Sequence, residues 1–155
     1  MDKPELLRAM RDAHAPIAAA VAALSDDALL AAVPGMPGWT RKDVLAHIEF
    51  WHRNSAAVLA GLRSGVDPHS ATDEPFDLDR LNAQVLADNR ERSCADVRAG
   101  EAASFEALVI AVEAATDDEL FGESTVPWMS GAAADVVIGD TSGHYPEHVP
   151  HLAAG

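Results

Sequence analysis

Leu6, Leu7, Met10, Ala13, Ile17, Val21 and Leu24 recur at steps of three and four residues. That is the period of one face of an α-helix, not the alternation of a strand. The same period returns in Val44, Leu45, Ile48, Trp51, Ala56, Leu59 and Leu62. Runs of Val, Ile and Thr are scarce, aromatics make up 5% of the chain, and much of the apolar content is alanine. Small residues of high helix propensity favour close-packed helices over a sheet.

The breakers and caps give the order of elements. A first helix is expected over Lys3 to Leu24, with Pro16 kinking it or shifting its register. Ser25-Asp26-Asp27 starts a short helix, Ala28 to Val33, and Pro34-Gly35-Met36-Pro37-Gly38 ends it. Thr40 with Asp43 reads as a capping box, Thr-x-x-Asp, opening a long second helix that ends near Gly61 to Gly65. Ser64 to Pro75 reads as loop. Asp77 caps a third helix from Leu78 to about Arg92, and Ser93 caps a segment from Cys94 to Ala115. These two are either one long helix or two end to end. Thr116 to Leu120 restarts a helical turn, and Gly122 to Gly131 is irregular. A last helix is expected from Ala132 to about Leu152, either bent at Pro146 and Pro150 or stopping near Gly143 and beginning again. The fold expected is all-α: one domain spanning 1–155, an antiparallel four-helix bundle with longer connections after the second and third helices.

The formal charge is −14, from 25 acids against 11 bases. Such a surface repels phosphate backbones and anionic lipid, so neither nucleic acid nor membrane is expected as a partner. A single cysteine, Cys94, rules out an intramolecular disulfide; it reads as a small buried hydrophobe. No basic-then-apolar leader opens the chain, and a cytoplasmic protein is the default expectation.

The chemistry sits in histidines. His144 and His148 are four apart, so on a helix they face the same way to within about 40°. A third histidine from a facing helix, His47, would complete a three-imidazole site for a divalent metal, zinc or nickel foremost, with coordination positions left open. The competing reading is a set of core histidines bonded to backbone or carboxylate. His151 continues the stripe as a fourth ligand or a rim residue. His52, about 140° around the helix from His47, points elsewhere. His14 and His69 read as surface or loop residues. Asp43 and Asp140, each four before a proposed ligand, are placed to orient an imidazole. Trp51 is placed to wall the pocket.

Gly38-Trp39-Thr40, Asp43-Val44-Leu45-Ala46-His47 and Trp51, followed far downstream by His144-Tyr145-x-Glu147-His148, resemble the second- and last-helix signatures of the DinB-like superfamily. Phe76-Asp77-Leu78-Asp79-Arg80-Leu81-Asn82 resembles the branch holding ClbS/DfsB-type proteins and mycothiol-dependent maleylpyruvate isomerase N-terminal domains. The resemblance implies a four-helix bundle, often dimeric, with His47, His144 and His148 on a metal. It also implies thiol-dependent transferase or isomerase chemistry on an electrophilic small molecule. The cofactor would be a low-molecular-weight thiol, mycothiol or bacillithiol; an alanine-rich, lysine-poor composition favours mycothiol. Hydrolysis is the variant reaction. The ClbS-like alternative is a self-protection protein that binds or opens a reactive genotoxin without metal, through Trp51, Trp128 and Tyr145. A stress-related bundle with structural histidines is the non-enzymatic alternative. The chain has no room for the second domain of some maleylpyruvate isomerases, so that particular reaction is not expected.

Overall fold

A computed structural model describes residues 1–69 and 76–153. The part of the expected Ser64–Pro75 loop from residue 70 onward lies outside the described residues. Those residues form α1 (Lys3–Ala23), α2 (Asp26–Leu29), α3 (Arg41–Ser64), α4 (Leu78–Asn89), α5 (Cys94–Ala114), α6 (Asp117–Phe121), α7 (Ala133–Asp140) and α8 (Tyr145–Leu152), and no strand.

Local chemistry explains where the helices start and stop. Thr40 accepts from the Asp43 amide while Asp43 reaches back to the Thr40 amide, which completes the expected capping box. Asp2 and Thr116 form the same reciprocal box, and Ser25, Asp77 and Ser93 cap their helices by accepting one amide through a side-chain oxygen. Pro16 does not end α1, which runs on to Ala23. The short second helix is one turn, Asp26–Leu29, set by the Ser25 cap rather than by the apolar residues after it. Between α2 and α3, Gly35 and Gly38 both take φ of +81°, a region that L side chains rarely adopt. They fold the Pro-Gly segment into a tight turn in which Val33 donates to the Trp39 carbonyl.

The bundle consists of α1, α3, α5 and the α7–α8 pair, with its polarity legible in the contacts. Glu49 meets Arg92 and His52 meets Ser104, so α3 and α5 ascend together. His14 meets Glu101 and Arg11 meets Glu113, so α1 runs against α5. Asp140 meets Ser55 while His144 meets His47, so α7–α8 runs against α3. Two helices thus run each way. A parallel neighbour needs a return crossover, and α4 lies within the one that joins α3 to α5. Lys42 fixes this crossover, donating at 2.7 Å to both the Arg90 and Arg92 carbonyls at its end.

The last helix is broken rather than bent. Thr141 leaves helical geometry at φ −124°, ψ −99°. The amides of Gly143 and His144 then turn back onto the carbonyls of Ile138 and Thr141. A Cβ at Gly143 would lie 3.0 Å from the Ile138 oxygen, so a close backbone approach keeps this position small. Pro146 falls in the first turn of α8, where its missing N–H leaves no bond unmade.

The core is in two parts. Leu6, Met10, Leu59, Leu108, Val112 and Leu120 fill one end, and Ile17, Val44, Leu45, Ile48, Val97 and Leu152 the other. Cys94 is buried beside Leu24 and Leu29.

Candidate metal centre

His47 lies on α3, His144 immediately precedes α8 without capping it, and His148 is one turn further along. The break at Thr141–Gly143 sets the position of His144. The Nε2 atoms of His47 and His144 are 3.2 Å apart, and those of His144 and His148 are 2.8 Å apart. One ligand atom from each of the three histidines lies within 4.8 Å of the others. Two nitrogens on one zinc stand about 3.3–3.4 Å apart. The first pair is therefore at ligand spacing, and the second needs a small ring rotation to reach it.

The protonation states follow from the surroundings. Burial, and then the neighbouring imidazoles His148 and His144, push the pKa of His47 down from 6.5 to about 3. Burial and the flanking histidines take His148 down to about 4. Burial also lowers His144. All three rings are neutral near neutral pH. The Trp51 indole N–H donates to His47 Nε2 at 3.1 Å, which puts the ring proton on Nδ1; a metal would take that one lone pair in place of the indole N–H. Among the described residues, His47 Nδ1 and His144 Nδ1 are buried with no hydrogen-bond partner. Three Nε2 atoms crowd one point, and an N–H on His144 would have to serve both of its neighbours. A cation would instead be shared by all three, so the donor set fits a divalent metal.

Of the expected orienting groups, neither aspartate bonds a ligand imidazole through its carboxylate; Asp140 acts on His144 only through its backbone. Asp43 is used up by the Thr40 cap. Asp140 accepts from Asn54 at 2.8 Å and Ser55 at 2.7 Å, tying α7 to α3. His151 Nδ1 lies 3.5 Å from His148 Nδ1, behind the ring and away from the Nε2 cluster. It is thus placed as a support for His148, not as a fourth ligand.

A cavity of about 320 Å³ opens onto the three histidines. Trp51 is in its wall, with Trp39, Met36, Leu78, Asn82, Asp140 and Glu147. The glycine turn before α3 delivers Met36 and Trp39. Trp128 is not in this wall. It packs over Gly61, fourteen residues beyond His47, or about 21 Å along α3. Nor is Tyr145, which is fully buried inside the bundle.

Tyr145 belongs to a buried polar layer between the two halves of the core. Its hydroxyl lies 2.6 Å from His52 Nε2, and His52 Nδ1 lies 3.0 Å from Ser104 Oγ. The Ser104 hydroxyl donates to the Glu101 carbonyl at 2.9 Å. Its one proton is spent there, so His52 Nδ1–H donates to Ser104 and the tyrosine O–H donates to Nε2. Burial pushes His52 down to about 3, consistent with a neutral ring. His14, read from sequence as a surface residue, is buried, 2.6 Å from Glu101 and stacked on Phe105. The signal for this layer was available. His14 sits between Met10 and Ile17, His52 between Ile48 and Ser55, and Glu101 and Ser104 between Val97 and Leu108, all at core spacing.

The family model for the mycothiol maleylpyruvate isomerase N-terminal domain matches residues 10–142. Among solved structures, the colibactin self-resistance protein ClbS in complex with a dsDNA superposes with a TM-score of 0.82 at 15% identity, covering 97% of this chain and 93% of that one. The sibling lethal factor precursor DfsB gives 0.83 at 14% identity, over 98% and 93%. The mycothiol-dependent maleylpyruvate isomerase gives 0.80 at 15% identity, over 99% of this chain but only 62% of the isomerase. No curated protein sequence matches the chain. The ClbS complex overturns one expectation. Net charge does not exclude nucleic acid here, because a protein of this fold is found with duplex DNA. A formal charge of −14 is a sum over the whole chain, whereas phosphate contacts are made by local donors. The membrane expectation concerns a different feature: no described helix is long and apolar enough to cross a bilayer.

Proposed function

The chain belongs to the mycothiol maleylpyruvate isomerase N-terminal domain family, and from that premise we propose a metal-dependent enzyme that joins or isomerises an electrophilic small molecule with a low-molecular-weight thiol. The observation that carries this reading is the convergence of three neutral imidazole Nε2 atoms at the floor of a cavity. His47, His144 and His148 would hold the ion. When bound, the ion supplies Lewis acidity that makes a thiol or water nucleophilic near neutral pH.

The protein's own groups supply the rest. Burial keeps the imidazoles unprotonated and so available as ligands. Trp39 and Trp51 flank His47 edge-on, with ring centroids 5.6 and 6.0 Å away, and keep water from that side of the ring. Glu147 at the rim is a carboxylate within the cavity wall, suited to accepting a proton from an entering thiol. Support for the thiol comes from the family and from the isomerase of the same fold. We take residues 1–155 as one functional unit.

The test is an activity screen of zinc- and nickel-loaded protein with mycothiol or bacillithiol and a panel of small electrophiles, following thiol consumption. Turnover that is lost on chelation and in His144→Ala, and regained on adding metal to wild type only, is the expected result. Equal thiol consumption with and without metal would refute the proposal.

A further inference from the structure

The walls of the cavity specify a charge class for what enters it. Among the described residues, no Lys or Arg lines it. The cations nearest in the chain are engaged elsewhere: Arg41 on the Ala28 and Ala153 carbonyls, Lys42 on those of Arg90 and Arg92, Arg90 on that of Gly38, and Arg53 and Arg92 on Glu49. Arg80 stands about 160° around α4 from both Leu78 and Asn82, the two wall residues of that helix. Residues 70–75 contain no Lys or Arg, only Asp73 and Glu74. The wall does hold two carboxylates, Asp140 and Glu147, two indoles, Trp39 and Trp51, and the Asn82 side chain, whose Oδ1 is buried without a partner among the described residues. Indole faces, carboxylates and an unpaired amide oxygen all attract N–H-bearing cations and disfavour anions.

We infer that the cavity takes a small aromatic or apolar molecule bearing a positively charged amine, and discriminates against carboxylates of the same shape. The apolar body lies against Trp39, Trp51, Met36 and Leu78. The ammonium faces Glu147 at the rim, with Asn82 Oδ1 accepting one of its N–H groups, while Asp140, already accepting from Asn54 and Ser55, stands further in. This rests on the reading of the cavity as the reactive centre, and it names the substrate class of that centre. An anion would have the metal ion alone to pair with, and the two acids offset that ion's charge.

The test is calorimetric titration of the full chain with three probes built on one ring: benzylamine, benzyl alcohol and phenylacetate. It is run near neutral pH on zinc-loaded and on chelator-treated protein. Benzylamine should bind about tenfold more tightly than phenylacetate in both forms, with the alcohol between. Glu147→Lys, a change at an exposed position, should abolish or reverse that order in the chelator-treated protein, where metal content plays no part. Phenylacetate binding as tightly as benzylamine in either form would overturn the inference, as would no binding of any probe. Failure to take up zinc would instead count against the metal reading, and the chelator-treated ranking would still decide the amine preference.

Discussion

Tyr145→Phe removes one oxygen from the interior and changes almost nothing else in shape. The tyrosine is fully buried, and its hydroxyl donates to His52 Nε2 at 2.6 Å. His52 has no exposed surface from which to recruit a replacement donor. Its Nδ1 is already committed to Ser104, so the ring cannot turn to satisfy Nε2 without breaking that bond. Leaving a buried acceptor unpaired costs about 1–3 kcal/mol, against which the phenyl ring regains a little by shedding a polar group. The net expectation is a loss of about 2 kcal/mol. For 155 residues at ~2.1 cal/mol/K each, that lowers the melting temperature by about 6 °C. Because Tyr145 follows His144 directly, the same change should loosen the α8 start and weaken metal retention. The assay is urea denaturation with the m-value monitored, beside Ser104→Ala and the double variant. The two losses should fall short of additive, since both act on one chain of bonds through His52. A loss under about 0.5 kcal/mol, or strict additivity, would refute the account of the polar layer.

Two further outcomes follow from the geometry. Metal-free protein should lose stability on acidification. The folded pKa values of His47 and His52, about 3, and of His148, about 4, lie below the 6.5 of an ordinary histidine, so the unfolded chain binds more protons between those values. Stability is full above ~6.5 and falls as pH drops towards 4, with a slope of up to ~1.4 kcal/mol per pH unit for each histidine; a flat profile by urea melts across that range would contradict it. Gly100→Ala should destabilise, although helix propensity alone predicts a gain of about 1 kcal/mol. The new Cβ would lie 2.6 Å from both oxygens of Glu49, a buried carboxylate held by Arg53 and Arg92, so a rise in melting temperature would show that this cluster yields easily.

The bundle was legible because helical periodicity and caps are local signals. Thr40 and Asp43 form the box that their spacing implied, and His47 meets His144 and His148 as the two-helix pattern suggested. What was hidden depended on tertiary contact. Whether Pro146 bent the last helix or restarted it turned on Thr141 and the carbonyl of Ile138. Asp140 shares a helical face with His144 in a continuous helix, but Asn54 and Ser55 capture its carboxylate. His14 and His52 occupy core-spaced positions, yet polar residues there announce a buried network only once Glu101, Ser104 and Tyr145 are brought opposite them. Net charge misled on nucleic acid because it carries no information about where charges lie.

The central claim is that His47, His144 and His148 form one metal site. The most direct measurement is elemental mass spectrometry on protein prepared without a metal column, beside His47→Ala and His148→Ala, each checked for folding by circular dichroism. The account predicts about one divalent ion per chain in wild type and none in either variant. Wild type that stays metal-free after incubation with zinc, nickel, iron and manganese, or variants that keep a full complement, would contradict it.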